Sequence, residues 1–209
     1  MIIDMHMHEM RYSGDSFLRL ENMVEIAKHR GLDGICITDH DSMGLKEFAT
    51  EYSEKTGFPI FVGIEFYSLQ GDIVAFGIED YPKERIPAQE FVDLVQAQGG
   101  MCFSAHPFRN NNRGLEENLK IVKGLDGIEV LNGSTLYEAN RKAAEYAAEL
   151  GLATVGSSDC HVPEKLGIYA TYFPREIRSV QELIRSVKRC ETLPVYYNCL
   201  LYTSPSPRD

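Results

Sequence analysis

Residues 2–8 read Ile2-Ile3-Asp4-Met5-His6-Met7-His8, a short apolar run that ends in two histidines. In an extended strand, the side chains at positions i and i+2 point to the same face of the sheet. His6 and His8 are therefore predicted to present two imidazoles side by side, as a single metal ion requires. A lone His-x-His pair also occurs by chance, so its meaning depends on the motifs that follow it.

Four further apolar runs end in histidine, aspartate or glutamate. They are Thr38-Asp39-His40-Asp41, Gly63-Ile64-Glu65, Ser104-Ala105-His106-Pro107 and Ser157-Ser158-Asp159-Cys160-His161. Each run places a metal-ligating side chain where a predicted strand passes into a loop. Of the six histidines, His29 is the exception: it lies between Lys28 and Arg30. We interpret it as structural, because cations favour the C-terminal end of a helix.

The chain alternates apolar runs with amphipathic helical patterns, which is typical of parallel βα units. Strands are predicted over 2–5, 34–38, 59–65, 101–104, 127–131 and 153–156, an extended segment over 166–173 and a last strand over 194–197. A hairpin is predicted where 67–69 and 73–78 flank Gln70-Gly71-Asp72. Helices are predicted over 20–30, 45–55, 136–150 and 180–187, around 91–95, and briefly after Gly114.

A closed barrel and an open doubly wound sheet both fit this alternation. The chain lacks the GxGxxG and GxxxxGK[ST] fingerprints, which disfavours a nucleotide-binding open sheet. In a barrel, the ends of different strands converge on one rim. That geometry would gather ligands that are spread from position 6 to position 161.

Composition bounds the class of protein. The chain has 209 residues, 44% hydrophobic and 25% charged, with a net charge of −10. This charge argues against a general nucleic-acid or membrane-surface binder, but not against a nucleotide substrate, because bound cations reverse the local field. No apolar run approaches the roughly 20 residues of a membrane span, and no secretion signal is visible. Five cysteines without a CxxC motif suggest a reducing, cytoplasmic setting.

The last eleven residues, 199–209, resemble the in-frame translation of a sequencing adapter. The alternative is a natural polar tail rich in serine and proline. We expect residues 1–198 to form a single domain and residues 199–209 to be foreign to it.

Taken together, the motifs resemble the PHP (polymerase and histidinol phosphatase) family. They run in order across almost the whole chain, at 4–8, 15, 37–41, 63–65, 105–107 and 158–161. The resemblance implies a distorted (β/α)7 TIM-like barrel that holds two or three divalent metal ions. It also implies hydrolysis of phosphate esters, such as histidinol phosphate, nucleoside bisphosphates or short oligonucleotides (5'–3' exonuclease action).

The resemblance also implies a set of metal ligands in this chain. They are His6, His8, Asp15, His40, Glu65, His106, Glu129, Asp159 and His161. His6 and His8 are expected to hold one ion, with Glu65 and Asp159 as companions or bridges. A neighbouring ion is expected at Asp15, His40 and His161, and a further one at His106.

One departure from the family pattern concerns the third ion. The family often has a further histidine between the His-Pro and Asp-x-His motifs, but this chain has none between His106 and His161. Glu129 or Asn132 takes that place, or one metal position is altered or empty.

Several acidic residues have a second interpretation. Asp15 is either a ligand or a loop or N-cap residue. One of Asp39 and Asp41 is expected to orient the ring of His40 from behind. Asp4 either does the same for the first pair of histidines or is a buried aspartate with another role.

The chemistry follows from the ligands. Nitrogen and oxygen ligands without thiolates fit manganese, iron or zinc, and Cys160 is expected to point away because side chains alternate along an extended segment. Such ions lower the pKa of bound water, and a hydroxide between ions about 3.5–4 Å apart suits in-line attack on phosphorus. The predicted catalytic residues are Glu65, Arg109, Asp159 and His161.

Arginines are the predicted phosphate contacts, with Arg109 first and Arg113 and Arg11 after it. The short span between Glu65 and His106 favours a small phosphorylated substrate over a long polymer. The sequence therefore predicts a metal-dependent phosphoesterase. The alternatives are a metal-dependent amidohydrolase and a non-catalytic, polymerase-associated metal-binding module.

Overall fold

The computed structural model describes residues 1–196, which form an α/β fold. The strands are β1 (Ile2–Asp4), β2 (Gly34–Ile37), β3 (Ile60–Tyr67), β4 (Asp72–Phe76), β5 (Met101–Ser104), β6 (Gly127–Asn132), β7 (Ala153–Ser157), β8 (Tyr169–Tyr172) and β9 (Leu193–Tyr196). The helices are α1 (Leu20–His29), α2 (Lys46–Thr56), α3 (Ala88–Ala97), α4 (Tyr137–Leu150) and α5 (Val180–Lys188). Short 3-10 turns cover Glu116–Lys120 and Pro163–Lys165. Position 197 of the predicted last strand and the segment 199–209 lie outside the described residues.

The strands form one sheet in the order β7-β6-β5-β4-β3-β2-β1-β8-β9. Two groups of strands are parallel, β1-β2-β3 and β5-β6-β7. Parallel units were expected from the alternation of strands and helices, but β8 and β9 pair antiparallel to their neighbours, as does β4 of the predicted hairpin. The predicted hairpin exists as β3 and β4, and its tight turn reverses the chain without a crossover helix.

The two ends of the sheet approach each other through the hydroxyl of Thr171 on β8. This hydroxyl accepts a hydrogen bond from Gly156 N at 3.0 Å and donates one to Gly156 O at 2.8 Å. Thr192 adds a bond to Thr154 O at 2.9 Å. The sheet is thus a nearly closed barrel, and the predicted fold class is confirmed.

Apolar side chains fill the interior of the barrel. One buried cluster joins Ile3, Phe76 and Phe103 from the strands to Leu183 and Val187 of α5. Two further clusters pack the outer face of the sheet against the other helices. Because α5 packs into the interior cluster, the strand ends that carry the histidines are left as the opening of the barrel.

The amphipathic pattern in the sequence correctly predicts which face of a helix is buried. The stripe predicted for α1 is buried at Leu20, Met23, Val24 and Ala27. Within residues 1–196, no helix is long and apolar enough to cross a membrane.

Candidate metal centre

The strand ends bring the five motifs of the sequence together. Met7 forms a parallel bridge with Cys160, and His40 forms one with Glu65. The backbone N–H of Asp159 donates to His6 O at 2.9 Å. These bonds fix the ends of β1, β2, β3 and β7 at one rim.

The backbone is strained at three motif positions. Asp41, His106 and Asp159 have φ values of 49°, 27° and 48°. Residues other than glycine rarely adopt positive φ, and such strain concentrates at functional sites.

His6, His8 and Glu65 form the first cluster of metal-binding donors. The Nε2 atoms of the two histidines are 3.1 Å apart. His6 Nε2 lies 3.4 Å from Glu65 Oε1, and His8 Nε2 lies 3.2 Å from Asp159 Oδ1. The structure thus brings together the four side chains predicted to share one ion.

A second cluster lies nearer the surface and comprises His8, His40 and His161. The rings of His40 and His161 each lie 4.2 Å from that of His8. Asp15 Oδ2 lies 3.4 Å from His40 Nε2 and 3.3 Å from His161 Nε2. The carboxylate of Asp15 therefore faces two imidazoles, and α1 begins only at Leu20.

His106 belongs to two further clusters, one with His6 and Asp159 and one with Glu65 and Asp72. Its Nε2 lies 2.9 Å from Glu65 Oε1 and 3.7 Å from Asp72 Oδ2. Sequence reasoning missed Asp72, because it begins a strand instead of ending one. Antiparallel pairing of β4 with β3 places it opposite Tyr67 at the same rim.

Glu129 lies behind the histidines. Its Oε1 is 3.2 Å from His6 Nδ1 and accepts a hydrogen bond from Ser157, while its Oε2 accepts from His106 N at 2.6 Å and Asn132 Nδ2 at 2.9 Å. A carboxylate in this position orients the ring of His6. Neither Glu129 nor Asn132 belongs to a donor cluster among the described residues; the sequence left open whether one of them takes the place of the missing histidine or one metal position is altered or empty.

The aspartates beside the histidines have roles that differ from those expected. Asp39 accepts a hydrogen bond from Ser13 Oγ at 2.8 Å, and this oxygen lies 3.2 Å from His8 Nδ1. Asp39 thus supports His8 through Ser13, whereas one of Asp39 and Asp41 was predicted to orient the ring of His40. The carboxylate of Asp41 instead accepts from Tyr67 N.

Asp4 bonds backbone groups rather than a histidine ring. Its carboxylate accepts from Ser158 N at 2.9 Å and Gly167 N at 3.0 Å. Burial raises the pKa of Asp4 to about 7, although these bonds oppose the rise. Of its two interpretations, the structure favours the buried aspartate with another role, which here joins β1 to β7.

A cavity of about 130 Å³ opens onto these clusters. Its lining comprises Asp15, His40, Glu65, His106, Arg109, Asn111, Arg113, Asp159 and His161. Two larger cavities, of about 360 and 430 Å³, lie away from these donors. The candidate site is therefore identified by the metal-binding side chains in its lining, and not by its volume. Arg11 is not in the lining: its guanidinium lies over Phe48 and near Glu9 and Glu21.

Comparisons with known proteins agree with this geometry. A model of the PHP-associated family matches residues 137–192. An uncharacterized protein from Methanocaldococcus jannaschii is 28% identical over 140 residues, 62% of this chain and 80% of that protein. A candidate metal-dependent phosphoesterase from Bifidobacterium adolescentis has a similar structure, with a TM-score of 0.66 and 20% identity over 77% of this chain and 88% of its own. These findings support a PHP-domain protein.

A lesion-specific endonuclease from Pyrococcus furiosus also has a similar fold. It gives a TM-score of 0.70 at 17% identity, over 90% of this chain and 56% of its own. At this level of identity, both structural matches show the fold alone. The family model covers Asp159 and His161, and the roles of the individual site residues stay predictions.

The charged groups of the candidate metal centre surround two buried carboxylates, those of Glu65 and Asp159. Burial disfavours their charged form, yet His6 and the other imidazoles hold the pKa of Glu65 and Asp159 well below the usual range. Burial opposes a proton on His6, but Asp159, Glu65 and Glu129 raise the pKa of its ring well above the ordinary value. Positive charge is therefore stabilised at this position, as a bound cation would be.

Two further observations indicate that the residues of the donor clusters are suited to binding divalent ions. Burial lowers the pKa of His8 to about 4 despite the nearby carboxylates, and a neutral imidazole is the form that binds metal. His40 Nδ1 and Glu65 Oε2 are buried 2.7 Å apart, but neither makes a well-aligned hydrogen bond within the described chain. Cys160 is buried among apolar side chains, so the clusters offer nitrogen and oxygen donors, which suit manganese, iron or zinc.

Proposed function

We propose that this PHP-domain protein is a metal-dependent phosphoesterase that hydrolyses a phosphomonoester or a nucleotide-type substrate. One observation carries the proposal: the cavity combines clusters of metal-binding donors with two arginines, Arg109 and Arg113. Metal ligands and guanidinium groups in one small cavity match the charge of a phosphoryl group.

The chain's own residues have distinct tasks in this proposal. His6, His8, Glu65 and Asp159 would hold one ion, and a second would lie between Asp15, His40 and His161. Divalent ions in these positions supply a bound water of lowered pKa and offset negative charge on the phosphoryl oxygens.

Arg109 and Arg113 contribute charge that is already in position. Arg109 is paired with Asp159, and Arg113 Nε lies 2.6 Å from Asp72 Oδ2. A guanidinium has five N–H donors, so a carboxylate partner leaves donors for the oxygens of a phosphate. Arg11 lies outside the cavity lining, and we do not include it in this contact.

The size of the cavity favours a small reacting group. Pockets that enclose a whole drug-sized ligand measure roughly 300–1,000 Å³, whereas this one measures about 130 Å³. A phosphoryl group fits this volume, and the remainder of the substrate would lie outside it. This supports attack at the end of a substrate, either on a terminal phosphomonoester or on the phosphodiester next to the 5' end of a short oligonucleotide, over attack within a long chain.

We also propose that the protein acts in a reducing, cytoplasmic compartment. The absence of disulfide bonds at four cysteines supports this proposal: Cys36, Cys102, Cys160 and Cys190.

A metal-dependent hydrolysis screen tests the proposed function. The protein is treated with chelator, reloaded separately with Mn²⁺, Fe²⁺ or Zn²⁺, and assayed on p-nitrophenyl phosphate, histidinol phosphate, nucleoside 3',5'-bisphosphates and 5'-phosphorylated oligonucleotides. We expect metal-dependent release of phosphate or of 5'-mononucleotides. Bis-p-nitrophenyl phosphate and p-nitroacetanilide separate phosphodiesterase and amidohydrolase activities. Cleavage of the amide alone, or no hydrolysis with any metal, would overturn the proposal.

A further inference from the structure

The two sides of the candidate metal centre differ in their fixed positive charge. Three carboxylates share the clusters of His106, and two of them accept hydrogen bonds from an arginine: Asp159 from Arg109 and Asp72 from Arg113. On the side of His8, the only basic groups that pair with Asp15 or Glu65, within residues 1–196, are histidines.

Arg109 is held firmly at this position. Its Nη2 donates to Asn132 Oδ1 at 2.6 Å as well as to Asp159, and its Nε donates to Thr135 Oγ1 at 3.1 Å. Asn132 is in turn bonded to Glu129 and receives a hydrogen bond from Thr135 Oγ1. Bonds from two nitrogens to a connected set of side chains fix the plane of the guanidinium.

Two cations cannot share the His106 side at low cost. A divalent ion bound by His106 and Asp159 would compete with Arg109 for Asp159 Oδ2, which lies 4.0 Å from His106 Nε2. The two positive charges would also repel each other across a few ångströms in a buried site. Of the other two carboxylates beside His106, Asp72 already accepts two hydrogen bonds from Arg113, and Glu65 also belongs to the cluster of His6 and His8.

We infer that Arg109 acts as a built-in cation in the place of a third metal ion, so that the protein binds two divalent ions, both on the side of His8. The guanidinium joins Asp159 to Asn132, in the region where no histidine is present between His106 and His161. This inference rests on the metal binding assumed in the proposed function, but not on the reaction that is catalysed.

Counting bound Mn²⁺ tests the inference without an activity assay. The full chain is stripped with chelator and titrated with Mn²⁺, and ions per chain are determined by native mass spectrometry and calorimetry. We expect two ions in the wild type and a third in Arg109→Gln, because loss of one nearby unit charge tightens binding of a divalent ion by about tenfold or more. Arg109→Gln combined with Asn132→His supplies a further imidazole and should bind the third ion more tightly still.

Arg178→Gln is the matched control, because Arg178 is an exposed arginine paired with Glu176 away from the cavity, and two ions are expected there. Thermal melts of the metal-free variants confirm that each is folded. Three ions in the wild type, or no third ion in either Arg109 variant, would overturn the inference while leaving the proposed function in place. A wild type that binds no ion would overturn both.

Discussion

At the scale of single residues, the centre consists of donors that face the cavity and partners that hold them. The donors at strand ends are visible in the sequence as motifs. Their partners, such as Ser13 and Glu129, lie 5 and 123 positions from the histidines they contact. Glu129 was a candidate ligand from the resemblance and Ser13 was not singled out at all, and only the fold reveals which histidine each of them contacts.

Removal of one donor should abolish turnover while the fold is retained. His8 contacts both donor clusters on its side of the cavity, and Asp159 lies within 4 Å of four histidine rings. We expect His8→Ala and Asp159→Asn to lower kcat/KM to the background of the assay, because the bound ions are lost or misplaced. Circular dichroism should show an intact fold. His29→Ala removes a histidine far from the centre and should keep full activity; full activity in His8→Ala instead would refute the site.

The contact from Asp39 through Ser13 to His8 should tune metal affinity. Groups that orient a ligating histidine typically contribute 10–100-fold to metal affinity. Ser13→Ala is therefore expected to weaken Mn²⁺ binding by about 10–100-fold, as measured by calorimetry. Ser42→Ala removes another loop hydroxyl, one that accepts from Gly44 N, and should bind Mn²⁺ as the wild type does. Equal affinity in both variants would show that Ser13 does not support the ring.

At the scale of elements, local patterns predict what depends on local packing. The stripe of α1 and the bounds of β5 follow from burial of one face or of a short apolar run. The direction of β8 could not be predicted, because it depends on which strands β8 pairs with. Asp72 was missed although its hairpin was predicted, because its place at the rim follows from its pairing with Tyr67 at the end of β3, and not from any motif around it.

The β3–β4 pairing requires glycine at position 63. A Cβ atom there would lie 2.4 Å from Ala75 O and 2.8 Å from the ring of Phe76. Gly63→Ala should therefore lower the free energy of unfolding by about 1–3 kcal/mol, because the two strands must separate to admit a methyl group. Urea denaturation measures the change. Gly14→Ala, whose new Cβ meets no atom within 4 Å, should change stability by no more than about 0.5 kcal/mol.

At the scale of the whole molecule, the candidate centre depends on how the barrel closes. Its donors come from the ends of β1, β2, β3, β5 and β7, from the start of β4, and from the loop that holds Asp15. The convergence of these ends was predictable from alternating strands and helices, because a barrel gathers strand ends at one rim. The closure itself was not, because it places two antiparallel strands, β8 and β9, beside β1 and against β7.

The hydroxyl of Thr171 should be the group on which this closure depends. Thr171→Val keeps the shape of the side chain but leaves the buried N–H and C=O of Gly156 without their partner. An unsatisfied buried polar group costs about 1–3 kcal/mol, so the variant should be less stable by that amount. Thr171→Ser retains the hydroxyl and should recover most of the stability. Since β7 leads directly to Asp159 and His161, Thr171→Val should also weaken Mn²⁺ binding. Wild-type stability together with wild-type binding in Thr171→Val would show that the barrel closes through other contacts.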